Sequence, residues 1–200
     1  MLHCRADYRT RAMPLSPPAS PRSPLHRRSL VMHGYRREDG LFDIEGHLQD
    51  TKSYPFDNDD RGRVEPGEEL HGMWIRLTIT DHLEIVSAEA VSDFTPYAIC
   101  PQAAPNFAAL AGLKIGPGFN RAVNERVGGI LGCTHLREML GQMATVAYQT
   151  LVGQRKQRTD VEAAQKRPAI LGTCLAYASD SPVVARRWPA WATPKDAAAD

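Results

Sequence analysis

The chain has no long apolar run. Nothing in it approaches the roughly 18 consecutive apolar residues of a membrane-spanning helix. It has little cysteine, and four Cys in 200 residues cannot staple a disulfide scaffold. It has almost no net charge, +1 from 24 basic and 23 acidic residues, so its balance gives no support to nucleic-acid binding. No apolar leader stretch is visible, and the chain therefore reads as cytoplasmic, with its thiols reduced. There is no internal repeat, no Gly-x-Ser-x-Gly elbow and no Gly-rich loop running into Lys-Ser/Thr. What is present is 42% hydrophobic residues, enough to bury one ordinary core.

Residues 1–30 differ from the rest. They hold five prolines and six arginines against a single acid, Asp7, which gives about +5 and leaves the remainder near −4. Such a stretch buries too little apolar surface to offset the entropy of ordering it, so a disordered Pro/Arg-rich extension is expected. Its composition suits a transit peptide or a variable extension, with Met32 as a candidate start. A single domain over residues 31–190 and a flexible tail over 191–200 complete the expected organisation.

Two hairpins lead the domain. Asp39-Gly40 separates Val31–Glu38 from Leu41–Thr51, and this dipeptide favours a tight turn. Phe42, Ile44 and Leu48 share one face of the second run, with Asp43, Glu45 and His47 on the other. Asp39, Asp43, Glu45 and Asp50 read as a solvated strand face. Residues 53–69 read as a polar loop, in which Asp57-Asn-Asp-Asp60 resembles a calcium loop in composition only. The strongest strand signal is His71 to Ile79, where Met73, Ile75, Leu77 and Ile79 alternate with Trp74, Arg76 and Thr78. A turn at Asp81-His82 leads into a partner strand, Leu83–Val91.

Helical patterns follow. Short helices are predicted over 103–112 and Asn120–Val127, and a long one over 134–152, where Leu136, Leu140, Met143, Ala147 and Leu151 recur at helical spacing with Gly153 as C-cap. Residues 169–188 are expected to add a short strand pair. Strands before helices define an α+β class: an antiparallel sheet of hairpins with helices packed on its apolar face.

The residues able to carry chemistry are cysteines and histidines at element ends. Gly128-Gly-Ile-Leu-Gly-Cys-Thr-His135 places Cys133 and His135 at the start of the long helix. Unpaired N–H groups and the dipole favour a thiolate there, the form that binds metal or attacks an electrophile. His71 takes the first inward position of an otherwise apolar strand face, and Cys100 lies in the loop between Pro96 and Pro101. His71, Cys100, Cys133 and His135 form a donor set suited to Zn²⁺ or to an iron–sulfur centre of mixed ligation, although their spacings match no zinc-finger pattern. A buried core histidine and small buried cysteines, Cys174 included, are the competing structural reading.

The segments Tyr35 to Gly46, Asp50-Thr-Lys52, Gly67 to Trp74 and Gly132-Cys-Thr-His-Leu136 resemble a bacterial family known as domain of unknown function 2889, over roughly residues 33–190. The resemblance implies no defined activity. It implies a genetic setting beside aromatic and acyl-CoA metabolism. The order of strands, Cys loop, helices, Cys/His pair and long helix is also remotely similar to iron–sulfur cluster scaffold proteins, whose ligand positions fall on His71, Cys100 and the Cys133–His135 pair. His71 stands where that family uses Cys, and the Cys100 loop lacks its Gly-Cys-Gly form.

Three functions stand open on the sequence. The first is a metal-binding protein using the four residues above. The second is a thiol enzyme with Cys133 as nucleophile and His71 or His135 as base, acting on a thioester in the setting the resemblance implies. The third is a non-catalytic accessory module with a protein partner. No membrane and no nucleic acid are expected among the partners.

Overall fold

The computed structural model describes residues 15–155, 167–168 and 170–193. The expectations for residues 1–14 and 194–200 lie outside the described residues. The chain divides into two compact units, Met1–Leu151 and Val152–Asp200.

The first unit is built on a four-stranded antiparallel sheet in the order β1-β2-β5-β6. Strand β1 spans His26–Arg36, β2 Phe42–Lys52, β5 Glu69–Ile79 and β6 Ile85–Phe94. The turn at Asp39-Gly40 forms as its residues demand, with Gly40 at φ 86° and Asp39 accepting from the Leu41 N–H and from Arg37. Two expectations need correction. Strand β1 begins at His26, inside the stretch expected to stay out of the fold. Its alternation of Arg28, Leu30 and Met32 extends the pairing with β2 back to Lys52. The 53–69 region is not all loop. It carries a small hairpin, β3 (Phe56–Asn58) and β4 (Gly62–Val64), closed by Asn58 Oδ1 accepting from the Asp60 and Arg61 N–H groups.

One sheet face is apolar. Leu30, Leu48 and Met73 lie side by side across three strands, as do Met32, Gly46 and Ile75 in the next row, then Gly34, Ile44 and Leu77. Ile44, Leu48, Met73, Leu77 and Ile79 are almost wholly buried. Helix α2, Thr134–Arg155, covers this face with Leu136, Met139, Leu140, Met143, Ala147 and Leu151. It continues past Gly153, the expected cap, since a helical glycine costs only about 1 kcal/mol relative to alanine. Two glycines let the helix approach closely. A Cβ on Gly46 would stand 2.8 Å from Met139 Cε and 3.3 Å from Met143 Sδ, and one on Gly34 would overlap the Thr150 side chain. These contacts fix the helix direction. Its C-terminal part lies by Gly34, its middle by Gly46, and its first turn at the sheet end where β2 finishes and β5 starts.

In the chain, a 3-10 helix, Cys100–Leu110, and helix α1, Phe119–Val127, come between β6 and α2. They bury Phe107, Leu110, Phe119, Val123 and Val127 in the same core.

The second unit corrects the strand pair expected over 169–188. It holds short helical turns, with α3 at Pro182–Arg187. Ser181 caps α3 by accepting from the Val184 N–H at 3.2 Å, and Pro182 presets the first helical φ. Among the described residues, no helix is long and apolar enough to cross a membrane.

Candidate metal and thiol site

The sheet's last inward row is polar. Arg28 of β1, Asp50 of β2 and His71 of β5 are cross-strand neighbours, one row beyond Leu30, Leu48 and Met73. Register shifts flank this row, at Asp50/Thr51 against β5 and at Gly72/Met73 against β6. Bulges of this kind re-aim side chains at strand ends.

Asp50 is the centre of the row and is buried, at 1% exposure. That overturns its reading as part of a solvated face. Its even position places it with Phe42, Ile44 and Leu48, the apolar set, and not with Asp43 and Glu45. Arg28 holds it with two parallel bonds, Nε to Oδ1 at 2.8 Å and Nη2 to Oδ2 at 2.7 Å. His71 Nδ1 lies 3.0 Å from Oδ2, and His26 Nε2 lies 3.3 Å from Oδ1. Burial alone would raise the Asp50 pKa; the Arg28 hydrogen bonds and charge, helped by His71 and His26, reverse this and hold it below the usual carboxylate value.

An ionised Asp50 can only accept, so His71 carries its proton on Nδ1 and keeps the Nε2 lone pair free. Burial, then the neighbouring His135, pushes the His71 pKa below the ordinary imidazole value, against the pull of Asp50. His135 is lowered likewise, first by burial and then by the Arg28 charge. Both shifts favour the neutral ring, and the two centroids lie 4.0 Å apart, tilted by 36°.

Helix α2 brings the second histidine and a thiol. The Cys133 carbonyl accepts from the Arg137 N–H at 2.9 Å, which makes Cys133 the N-cap of α2. Its Sγ is half-buried, 3.9 Å from His135 Nδ1 and 3.8 Å from Met73 Sδ. A Cys-x-His pair converges here because the first residue precedes the helical repeat.

His71, Cys100, Cys133 and His135, the four residues singled out from the sequence, all line one cavity of about 720 Å³. Among the described residues, the group whose potential ligand atoms all lie within 4.8 Å of one another is Asp50, His71 and His135. Neither cysteine belongs to that group. Asp50 is poorly placed as a direct ligand, because Arg28, His71 and His26 already occupy its oxygens. It acts instead on His71 from behind. Cys174 is exposed in the second unit. Asp50, Arg28 and His26 were missed in the sequence. The parity of β2 marks Asp50, and nothing local marks the other two.

An open antiparallel sheet, covered on one face by a long helix whose first turn meets a polar row at the sheet end, defines an α+β domain with a His/Cys cavity. The profile of a family described as protein of unknown function (DUF2889) matches residues 26–149, and the chain belongs to that family. The match begins at the first residue of β1 and ends within α2, so it spans every element that builds the cavity. No curated protein and no solved structure matches the chain.

Proposed function

We propose that this domain binds a divalent transition metal, Zn²⁺ in preference, through His71 Nε2, His135 and the Cys133 thiolate. The observation that carries the reading is the His71–His135 pair: two imidazoles with ring centroids 4.0 Å apart, one with its far nitrogen held by a buried carboxylate. A carboxylate behind a histidine is the usual support of a metal ligand, since it sets the tautomer and raises the basicity of the free nitrogen. The 3.9 Å between Cys133 Sγ and His135 Nδ1 is close to the roughly 3.3–3.8 Å that tetrahedral bonds of about 2.0–2.3 Å impose on neighbouring donors. Two imidazoles and one thiolate suit Zn²⁺ better than an iron–sulfur centre, which draws on more thiolate. Cys100 lines the same cavity, and a metal held by three protein donors would keep a fourth position for water or substrate. An ion so held would polarise a carbonyl or acidify a bound water.

The test is metal analysis of protein purified without a metal-affinity tag. About one equivalent of zinc is expected, falling below about 0.2 in His71→Ala and in Cys133→Ser. Less than about 0.2 equivalents of any transition metal in the unaltered protein would sink the reading.

The Cys133–His135 contact supports a second reading, a thiol enzyme. His135 Nδ1 would take the Cys133 proton, and the thiolate would attack an electrophile held in the cavity. It predicts that iodoacetamide labels Cys133 far faster at pH 7 than Cys100 or Cys174, in protein free of metal. Equal, slow labelling of all three would argue against it.

A further inference from the structure

Two unlike sets of side chains line the cavity. The His71, Cys133 and His135 donors are one. In the other, two separate segments bring large apolar side chains into solvent: Tyr97 and Ile99 from the loop after β6, and Ile130 from the turn before α2. Ile130 is fully exposed and Ile99 is 68% exposed. Three such exposed side chains form an apolar lip to one cavity, more than the scattered apolar residues of an ordinary surface.

Both segments are fastened. The Ala98 N–H donates to Asp60 Oδ2 at 2.7 Å, which ties the first to the β3–β4 hairpin. Asn106 Nδ2 donates to the Leu131 carbonyl at 2.8 Å, which ties the second to the 3-10 helix. The lip is thus held in place with its apolar side chains outward. None of the described residues lining the cavity is Asp, Glu, Lys or Arg. Arg28, in the neighbouring polar row, is already bound to Asp50 through two bonds. A phosphate or nucleotide would therefore meet no free cation in the lining. The volume, about 720 Å³, is that of a small-molecule site.

We propose that this cavity receives a small uncharged molecule with an apolar body and one electron-rich head group. The body lies against Tyr97, Ile99 and Ile130, and the head turns toward His71, Cys133 and His135. The direction of the head rests on the metal reading above; the class of the body rests on the lip alone. Burying the body would cover side chains that now face water, which is the driving force for its binding.

The probe is Nile red, a neutral apolar dye, titrated into the whole protein as purified, with its metal content measured on the same sample. Saturable one-site binding with a blue-shifted emission is expected. Ile99→Asp and Ile130→Asp should each weaken it tenfold or more. Both residues are exposed, so metal content and thermal midpoint should hold. Octanohydroxamic acid, an apolar chain with a neutral metal-seeking head, should displace the dye at least tenfold better than acetohydroxamic acid, and ATP should not displace it. No saturable binding, binding undiminished in both variants, or displacement by ATP as effective as by octanohydroxamic acid would overturn the proposal. So would a dimer in solution that dissociates in Ile130→Asp, since a second copy would then cover the lip. Dye binding lost in the lip variants of a metal-free protein would sink the metal reading and leave this one standing. A full equivalent of metal with no dye binding would do the reverse.

Discussion

The rings of His71 and His135 meet 4.0 Å apart, although one opens a strand and the other opens a helix. Burial is the main cause that lowers both folded pKa values from 6.5; the neighbouring His135 adds to it at His71, and the Arg28 charge adds to it at His135. The neutral pair contributes its full share to stability above about pH 6.5, the unfolded imidazole value. As pH falls through 6.5 toward the lowered folded values, the unfolded chain takes up protons that the folded chain refuses, and stability drops. A urea midpoint that is level above neutrality and declines below about pH 6.5 is expected, with a shallower decline in His135→Gln. A midpoint that stays level or rises over that range would contradict the assignment.

Asp50 binds four side-chain nitrogens from Arg28, His71 and His26, and its removal strands them. Breaking a buried ion pair from one side costs about 3–5 kcal/mol, and partial exposure of Arg28 reduces this to roughly 1–3 kcal/mol here. Asp50→Ala should cost that much in urea denaturation. Asp50→Asn should cost less, yet still weaken zinc binding by about 10–100-fold, because an amide no longer fixes the His71 tautomer. Equal zinc affinity in Asp50→Asn and the unaltered protein would show that Asp50 does not support a ligand.

The close seat of α2 on the sheet predicts an ordered pair of costs. An added methyl at Gly46 meets the end of a flexible methionine, whereas at Gly34 it meets the Thr150 side chain close to its backbone. Gly34→Ala should therefore cost more than Gly46→Ala, within the roughly 1–3 kcal/mol typical of overpacking. Thr150→Ala should recover part of the Gly34→Ala loss, a coupling that a double-mutant cycle measures directly. Additive costs at the two positions would mean that the helix does not press on β1 there.

Cys100 and Cys133 line the same cavity but differ in their contacts. Cys133 reaches His135 and Met73, while the Cys100 backbone N–H closes a turn onto the Tyr97 carbonyl at 3.1 Å. Cys133→Ser should abolish metal retention, and Cys100→Ser should keep at least half of it, by metal analysis of dialysed protein. The opposite ranking would move the third ligand to Cys100.

Much of the fold was legible because its signals are local and periodic. The alternation of Met73, Ile75, Leu77 and Ile79 and the helical spacing from Leu136 to Leu151 named the two surfaces that meet in the core. The 169–188 segment is rich in apolar residues, which suggests strand, but Ser181-Pro182 is a helix-start signal and α3 follows it. His71, Cys133 and His135 could be named because His and Cys are conspicuous on apolar faces and at helix starts. Asp50 was hidden by its company: three other acids on the same hairpin face water, and only strand parity separates it from them. Arg28 and His26 were hidden by composition, since a Pro/Arg-rich stretch gives no hint that its last residues join an edge strand. Their role depends on a partner that lies far along the chain.

The polar row takes one side chain from each of three adjacent strands, and the helix adds a fourth group from farther still. Such a site has no local precursor, and no peptide cut from the chain would carry it. The unfolded ensemble holds the same imidazoles and thiols at scattered distances, so whatever binds there recognises the assembled sheet and helix alone. Occupancy and integrity of the fold are then two readings of one equilibrium. A ligand at a hundred times its dissociation constant would raise the unfolding free energy by about 2.7 kcal/mol. The thermal midpoint of the whole protein thereby becomes an assay for candidate ligands before any reaction is known.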